Sequence, residues 1–263
     1  MIPGSMDDFV HTSFAHDGKT KPLFRKGEGP GVVVVHEIPG ITPEVADFAR
    51  KVADRGFTVF LPELFGVTGQ PKGPGNIGRE IVRSCISREF TVLARRGSSP
   101  VTIWLRALCR HAHAACGGPG VGAIGMCLTG NFALSLMVDD SVMAPVLSQP
   151  SLPFGVTPSH AAALAVSDEE LAVIKRRTAE GVTVLGLRFT HDLSCPGARF
   201  RTLERELGDG FEGIEVPSGP GNPWGIPRYA HSVVTNDLVD EEGHPTLAAL
   251  DRVLALFEER LRA

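Results

Sequence analysis

Val121-Gly-Ala-Ile-Gly-Met-Cys127-Leu-Thr-Gly-Asn131 is the stretch on which the reading of this chain turns. Val121 to Met126 is an apolar run of strand length, and Leu128 to Met137 reads as a helix beginning directly after Cys127. A strand that passes straight into a helix turns sharply and crowds its own backbone. Small residues are then needed around the side chain thrust out at the tip. Gly125, two positions before the cysteine, and Gly130, three after it, meet that need. A cysteine so placed faces the positive end of the following helix, which favours thiolate over thiol. The backbone N–H after it can point at a developing oxyanion. The competing reading of this segment alone is a buried cysteine filling a strand end.

A nucleophilic cysteine needs a base, and the base an orienting acid. After an elbow of this kind they follow in the order nucleophile, acid, histidine. Leu185-Gly-Leu-Arg-Phe-Thr-His-Asp192 is a strand running into a polar turn, which presents Asp192 at a strand's carboxyl end. Arg228-Tyr-Ala-His231-Ser232 lies in a loop after the last short strand. Taken singly, Asp192 reads as a helix cap before Pro196 and His231 as an ordinary loop histidine. Together, in order and behind an elbow, they read as a triad.

The surrounding chain alternates short apolar runs with longer helical patterns, the signature of an α/β fold with a mostly parallel twisted sheet and helices on both faces. Val32 to His36 is β-branched until its last residue, as a doubly buried strand should be. Pro43 to Arg55 is a helix with Val45, Phe48, Ala49 and Val52 on one stripe, capped by Thr42 and stopped by Gly56. Further strands are expected at Phe57 to Leu61, Val142 to Ser148, Val182 to Phe189 and Gly213 to Val216. Helices are expected at Ile77 to Arg95, Pro100 to Ala115, from near Ser167, at Cys195 to Leu207 and at Thr246 to Leu261. Gly66 to Gly78, rich in Gly and Pro, reads as a loop. With no repeat and no linker, a single domain over 6–263 is expected. Met1 to Ser5, ahead of a second methionine, is open to reading as an expression remnant.

Val35-His-Glu37-Ile-Pro-Gly40, Gly125-Met-Cys127-Leu-Thr-Gly130, His191-Asp192 and Ala230-His231-Ser232 resemble the four signatures of the dienelactone hydrolase family. The resemblance runs from about Val32 to the final helix. It is specific because most α/β-hydrolases carry serine in the elbow. It implies a single-domain α/β-hydrolase without a large cap, cleaving a carboxylic ester or lactone through an acyl-enzyme. Cys127 would be the nucleophile, His231 the general base and Asp192 the residue that fixes its tautomer. The N–H groups of Ile38 and Leu128 would form the oxyanion hole. Glu37 would partner the nucleophile at rest, against the plain reading of a loop carboxylate. The family also holds a substrate carboxylate with two arginines, one of them four residues after the histidine. Here that position is Thr235, which predicts a preference for neutral substrates unless Arg228 or an arginine between Arg79 and Arg96, such as Arg88, supplies the charge.

Composition is consistent with this class. The 263 residues are 43% hydrophobic and 21% charged with a net charge of −4, and the basic residues are scattered, so neither nucleic acid nor a membrane is an expected partner. A small-molecule ester or lactone is. Five cysteines without framework spacing, and no leader-like start, suggest a reduced, cytoplasmic protein. Gly120-Val-Gly-Ala-Ile-Gly125 matches the letters of a dinucleotide fingerprint but leads into a strand instead of following one. Cys109, His113 and Cys116 share a helix face that invites a zinc reading, yet apolar neighbours favour a packed helix. No cofactor or metal is implied. Two rival functions are a thiol-based oxidant sensor and a non-catalytic ligand-binding module on a hydrolase scaffold.

Overall fold

The computed structural model describes residues 5–73, 75 and 99–262. Eight strands form one sheet: β1 (Val10–His16), β2 (Lys19–Lys26), β3 (Gly31–Val35), β4 (Thr58–Pro62), β5 (Val121–Met126), β6 (Val142–Ser148), β7 (Val184–Phe189) and β8 (Phe211–Val216). Their spatial order is β1-β2-β4-β3-β5-β6-β7-β8, with β1 and β2 antiparallel to their neighbours and the rest parallel.

Side-chain alternation sorts the core into two layers, because successive residues of a strand point to opposite faces. Val33, Val35 and Ala123 pack on one side with α2 (Pro100–Cys116), α3 (Phe132–Leu136), α5 (Asp168–Ala179) and α6 (Gly197–Leu207). Val32, Val34, Ile124 and Met126 pack on the other with α1 (Pro43–Asp54) and α7 (Pro245–Leu261). Gly122 lets α7 approach closely: a Cβ there would stand 2.8 Å from the Phe257 ring. The glycines of the apparent dinucleotide fingerprint therefore serve packing and the turn after the strand. Between β6 and β7 the chain adds only the five-residue α4 (Pro158–Ala162) to the sheet-covering α5.

The expected strands β3 to β8 and the expected helices within the described residues all form, most within a residue or two of their anticipated ends. The exceptions lie at the edge and at the elbow. β1 and β2 are an N-terminal hairpin the polar pattern VHTSFAH/KTKPLFRK conceals, since an edge ladder is held by backbone hydrogen bonds and needs little burial. Its one legible signal is Asp17-Gly18, both at positive φ (48° and 70°), the pair that favours a two-residue hairpin turn. Trp104 on α2 pins the hairpin through an Nε1–H bond of 3.1 Å to the Lys19 carbonyl. The helix expected over Leu128 to Met137 is instead a 3-10 turn, Cys127–Thr129, followed by the short α3. The helix expected at Ile77 to Arg95 lies outside the described residues. Among the described residues no helix is long and apolar enough to cross a membrane.

Candidate active site

At the carboxyl end of β5 the chain turns so tightly that Cys127 takes φ 54°, a left-handed conformation costly for a residue with a Cβ. A Cβ on Gly125 would lie 2.1 Å from the Thr129 carbonyl oxygen, and one on Gly130 2.5 Å from the Pro150 Cα, so neither position tolerates a side chain. The N–H groups of Gly130 and Ser151 both donate to the Cys127 carbonyl at 2.9 Å, fixing the residue from either side. Thr129 ties the elbow to β3: its hydroxyl accepts from the Met126 N–H at 3.0 Å and shares its proton among the carbonyls of Met126, Val35 and His36 at 2.9–3.1 Å. That bond joins the two turns that carry Leu128 and Ile38, the expected oxyanion donors. A short turn thus replaces the long helix expected behind Cys127, and the dipole facing the residue is smaller than the sequence suggests.

The charge next to the thiol comes from His231. Its Nδ1 lies 2.6 Å from Asp192 Oδ2, and its ring is close enough to the Cys127 side chain for the two to influence each other's charge. With Nδ1 committed to the carboxylate, Nε2 is the atom left for the thiol. Burial disfavours the imidazolium, but the negative charge of Cys127 and the hydrogen bond that His231 donates to Asp192 outweigh it, and the His231 pKa is raised well above its ordinary value. Asp192 is itself oriented: its Oδ1 accepts the Ser194 N–H at 2.8 Å, while Arg188 braces the loop through the carbonyls of Cys195 (2.9 Å) and Thr190 (3.0 Å). The histidine loop is stapled by Asp237, whose Oδ2 accepts the N–H groups of His231 (2.9 Å) and Ser232 (2.8 Å).

Glu37, two residues past β3, is buried, at 1% exposure, and its carboxylate is a hub. Oε1 accepts the Thr235 hydroxyl at 2.5 Å and faces Lys72 Nζ at 2.9 Å. Oε2 accepts the Ser232 hydroxyl at 2.7 Å and the Gln149 amide at 3.4 Å. Lys72 also donates to Ser232 Oγ at 2.7 Å. Burial works against the carboxylate, yet Lys72, Thr235 and the charge of His231 together hold its pKa below the ordinary glutamate range. This differs from the expectation that Glu37 partners the resting thiol: the carboxylate is taken by four other side chains, and the thiol faces His231. Thr235, expected merely as a lost arginine, is a buried donor to Glu37.

The sequence brought Cys127, Asp192, His231, Glu37 and Thr235 forward, and the structure gathers all five. It did not bring forward Lys72, Gln149, Ser232 as a ligand of Glu37, or Asp237. Gln149 follows β6 at positive φ (35°), and Lys72 sits in the Gly- and Pro-rich loop, where no local pattern distinguishes it from a solvated lysine. Arg88 lies outside the described residues, as does Cys85. Arg228 is exposed. Cys109 is buried in the core, where desolvation pushes its thiol well up, while His113 bonds the Gly118 carbonyl at 2.9 Å, so the helix face suggestive of zinc does not converge. Among the described residues no group of three or more His, Cys, Asp or Glu side chains is arranged to hold a metal. Cys195 is also fully buried and pushed up to about 12, mainly by desolvation.

The strand order, with its antiparallel β2, and the sharp strand-to-helix turn define an α/β-hydrolase fold. Within that class the chain belongs to the dienelactone hydrolase family, whose model matches residues 20–174, more than half of the chain. The match includes Glu37, Lys72, Cys127 and Gln149 and ends before Asp192 and His231. Over 61 residues (23% of the chain, 52% of the relative) it is 39% identical to a protein of Escherichia coli K12 described as "Putative hydrolase fragment YghX". Over 68 residues (26% of the chain, 25% of the relative) it is 34% identical to a "Putative carboxymethylenebutenolidase" of Yersinia pestis. The chain thus spans about half and a quarter of the lengths of these curated relatives. Similar solved structures include a dienelactone hydrolase, described as putative, of Klebsiella pneumoniae (TM-score 0.66, 19% identity, covering 95% of this chain and 98% of that one). Another is the dienelactone hydrolase-like promiscuous phosphotriesterase P91 from metagenomic libraries (TM-score 0.62, 17% identity, 96% and 98%). At these identities the likeness is one of fold.

Proposed function

We propose that this protein hydrolyses a carboxylic ester or lactone through a Cys127–His231–Asp192 triad and a thioester acyl-enzyme. The observation that carries the reading is the His231 Nδ1–Asp192 Oδ2 contact of 2.6 Å, made by an imidazole near enough to Cys127 for the two to influence each other's charge.

In this reading Cys127 Sγ, paired as thiolate with the His231 imidazolium, attacks the carbonyl carbon. The carbonyl oxygen becomes an oxyanion facing the N–H groups of Leu128 and Ile38. As the tetrahedral species collapses, the C–O bond breaks and His231 passes its proton to the departing alkoxide, which in a lactone stays attached to the acyl group. A water then gives its proton to His231 and attacks the thioester. The C–S bond breaks, the acid leaves and the thiolate–imidazolium pair is restored. Asp192 stays ionised throughout, holding the ring and its tautomer.

A panel of aryl esters and lactones, assayed with native and iodoacetamide-treated protein, tests the reading. Turnover that survives complete alkylation of Cys127 overturns it, and no turnover across the panel favours a sensor or a binding module.

Asp192→Asn should lower kcat/KM on the order of 10²- to 10⁴-fold, the range seen when a base loses its orienting acid. Because Asp192 raises the His231 pKa, the substitution should also move the basic limb of the pH–rate profile to lower pH. The same raised pKa means that the imidazolium's contribution to stability is full below about pH 6.5 and is lost as pH rises through the folded value. A profile that keeps its basic limb in place in Asp192→Asn contradicts the assignment.

Neutral substrates should be preferred. Thr235 donates to Glu37, and Lys72, the cation beside it, is held by Glu37 and Ser232, so neither of these two groups is free to take an entering carboxylate. A lost charge-assisted bond is worth about 1.5–3 kcal/mol, or roughly one to two orders of magnitude in affinity. A tenfold advantage in kcat/KM for a lactone carboxylate over its neutral methyl ester rules this out and indicates that a cation turns toward substrate.

A further inference from the structure

Among the described residues eight large apolar side chains are exposed, and six of them stand on loops that follow β4, β6, β7 and β8: Val67, Phe154, Val156, Leu193, Trp224 and Tyr229. The other two, Val10 and Ile103, are on β1 and α2. The carboxyl ends of the parallel strands are also where Cys127, Asp192 and His231 emerge. Isolated exposed apolar residues are ordinary on any protein, whereas their gathering at the end of the sheet that also carries the candidate site marks a binding surface.

Contacts join these loops to one another and to the site. Val67 adjoins the turn carrying Ile38, its backbone N lying 3.5 Å from where a Cβ of Gly40 would stand. Phe154 and Val156 follow Ser151, which holds the Cys127 carbonyl. Gly155 between them abuts Pro196, with 3.3 Å from its Cβ position to the proline ring, and so reaches the loop of Asp192 and Leu193. That loop meets the one after β8, where the His191 N–H donates to Ser218 Oγ at 3.1 Å and its ring lies against Gly219. Leu193 directly follows Asp192, Tyr229 stands two residues before His231, and both are 85% exposed. The Glu37 carboxylate is fully engaged by Lys72, Thr235, Ser232 and Gln149.

We infer that this rim is a substrate-binding surface continuous with the triad, and that the substrate is a neutral ester or lactone carrying an apolar chain or ring that extends from Cys127 over Phe154, Leu193 and Tyr229. The inference rests on the hydrolase reading above and adds the substrate class to it. A methylene fully withdrawn from water gains about fourfold in affinity; on a rim open to solvent on one side about twofold per methylene is expected, or roughly 60-fold from an acetyl to an octanoyl ester.

The test is kcat/KM for p-nitrophenyl esters from acetate to octanoate, below their aggregation limits, with the full chain and with Phe154→Ser and Leu193→Ser/Tyr229→Ser. These side chains contribute little to the core, and thermal melts verify folding. The expected result is a profile rising about 60-fold in the wild type and an octanoate-to-acetate ratio below about tenfold in the double variant, with the loss carried by KM. A flat wild-type profile overturns the inference, as does a steep one that the variants leave unchanged. A flat profile accompanied by dimerisation in sedimentation, or by binding to phosphatidylcholine vesicles, also overturns it and assigns the rim to a second copy or to a lipid surface. Alkylation separates the two readings: acetate turnover that persists without a free Cys127 sinks the hydrolase reading, whereas turnover that stops, with a flat profile, sinks only the substrate class.

Discussion

Cys127→Ala is expected to lower kcat/KM on an aryl ester by about 10³-fold or more while leaving the fold intact. The expected loss is large because in the proposed mechanism the triad acts as a unit: without sulfur, His231 would have no proton to manage, and only binding and the proposed oxyanion donors would remain. The fold should persist because the side chain is half-buried at a tip and alanine meets the same φ of 54° that cysteine already tolerates. Cys127→Gly should remove that strain and be the more stable of the two, by on the order of 1 kcal/mol. The measurements are steady-state kinetics and denaturant melts side by side. An alanine variant retaining more than a tenth of wild-type turnover contradicts the assignment of Cys127. One that unfolds would show that the residue's part is structural.

Lys72→Met should cost about 3 kcal/mol of stability at pH 7. Glu37 is then a carboxylate at 1% exposure that has lost its ammonium partner, and removing one member of a buried pair typically costs 3–5 kcal/mol. Protonation sets a ceiling on that cost: neutralising a carboxyl of ordinary pKa 4.5 at pH 7 takes about 3.4 kcal/mol, from 2.5 pH units at 1.36 kcal/mol each. In the wild type the depressed Glu37 pKa contributes stability that is present above about pH 4.5 and lost as pH falls through the folded value. In the variant the pKa is raised instead, so the deficit should shrink by about 2 kcal/mol between pH 7 and pH 5. Adding Glu37→Gln to Lys72→Met should restore most of the loss, since an amide can still meet Ser232 and Thr235. Activity should fall with stability, because Ser232 and Thr235 lie in the loop that presents His231. A deficit below 1 kcal/mol that ignores pH would mean the pair contributes little.

These two expectations differ in how far the sequence alone supports them. The place of Cys127 at an elbow was legible because it is written locally: a buried strand, two glycines at fixed offsets and an immediate helical turn fall within eleven consecutive residues. The interior strands were legible for the same reason, since β3 and β5, covered on both faces, need uninterrupted apolar runs. The edge hairpin β1–β2 was not, because pairing at an edge is a matter of backbone bonds that polar residues make as readily as apolar ones. The start of the helix after Cys127 was not either: the chain first makes a 3-10 turn, Cys127–Thr129, and Gly130 is pressed against Pro150 of the loop after β6, before the helix begins at Phe132.

Lys72 belongs wholly to the tertiary structure. It meets Glu37 beyond the carboxyl ends of the neighbouring strands β3 and β4, and Glu37 in turn meets Gln149 and Ser232, at separations of 112 and 195 residues. No pattern of neighbours along the chain encodes such a contact. The sequence by itself determined the parallel sheet and the elbow, and it brought Cys127, Asp192 and His231 forward in that order, because periodicity and turn chemistry are short-range constraints that each residue type expresses on its own. Only the tertiary structure decided which groups hold Glu37 and that His231 is what the thiol faces. A buried charge takes whatever donors the completed fold brings within about 3 Å, and desolvation makes that choice binding.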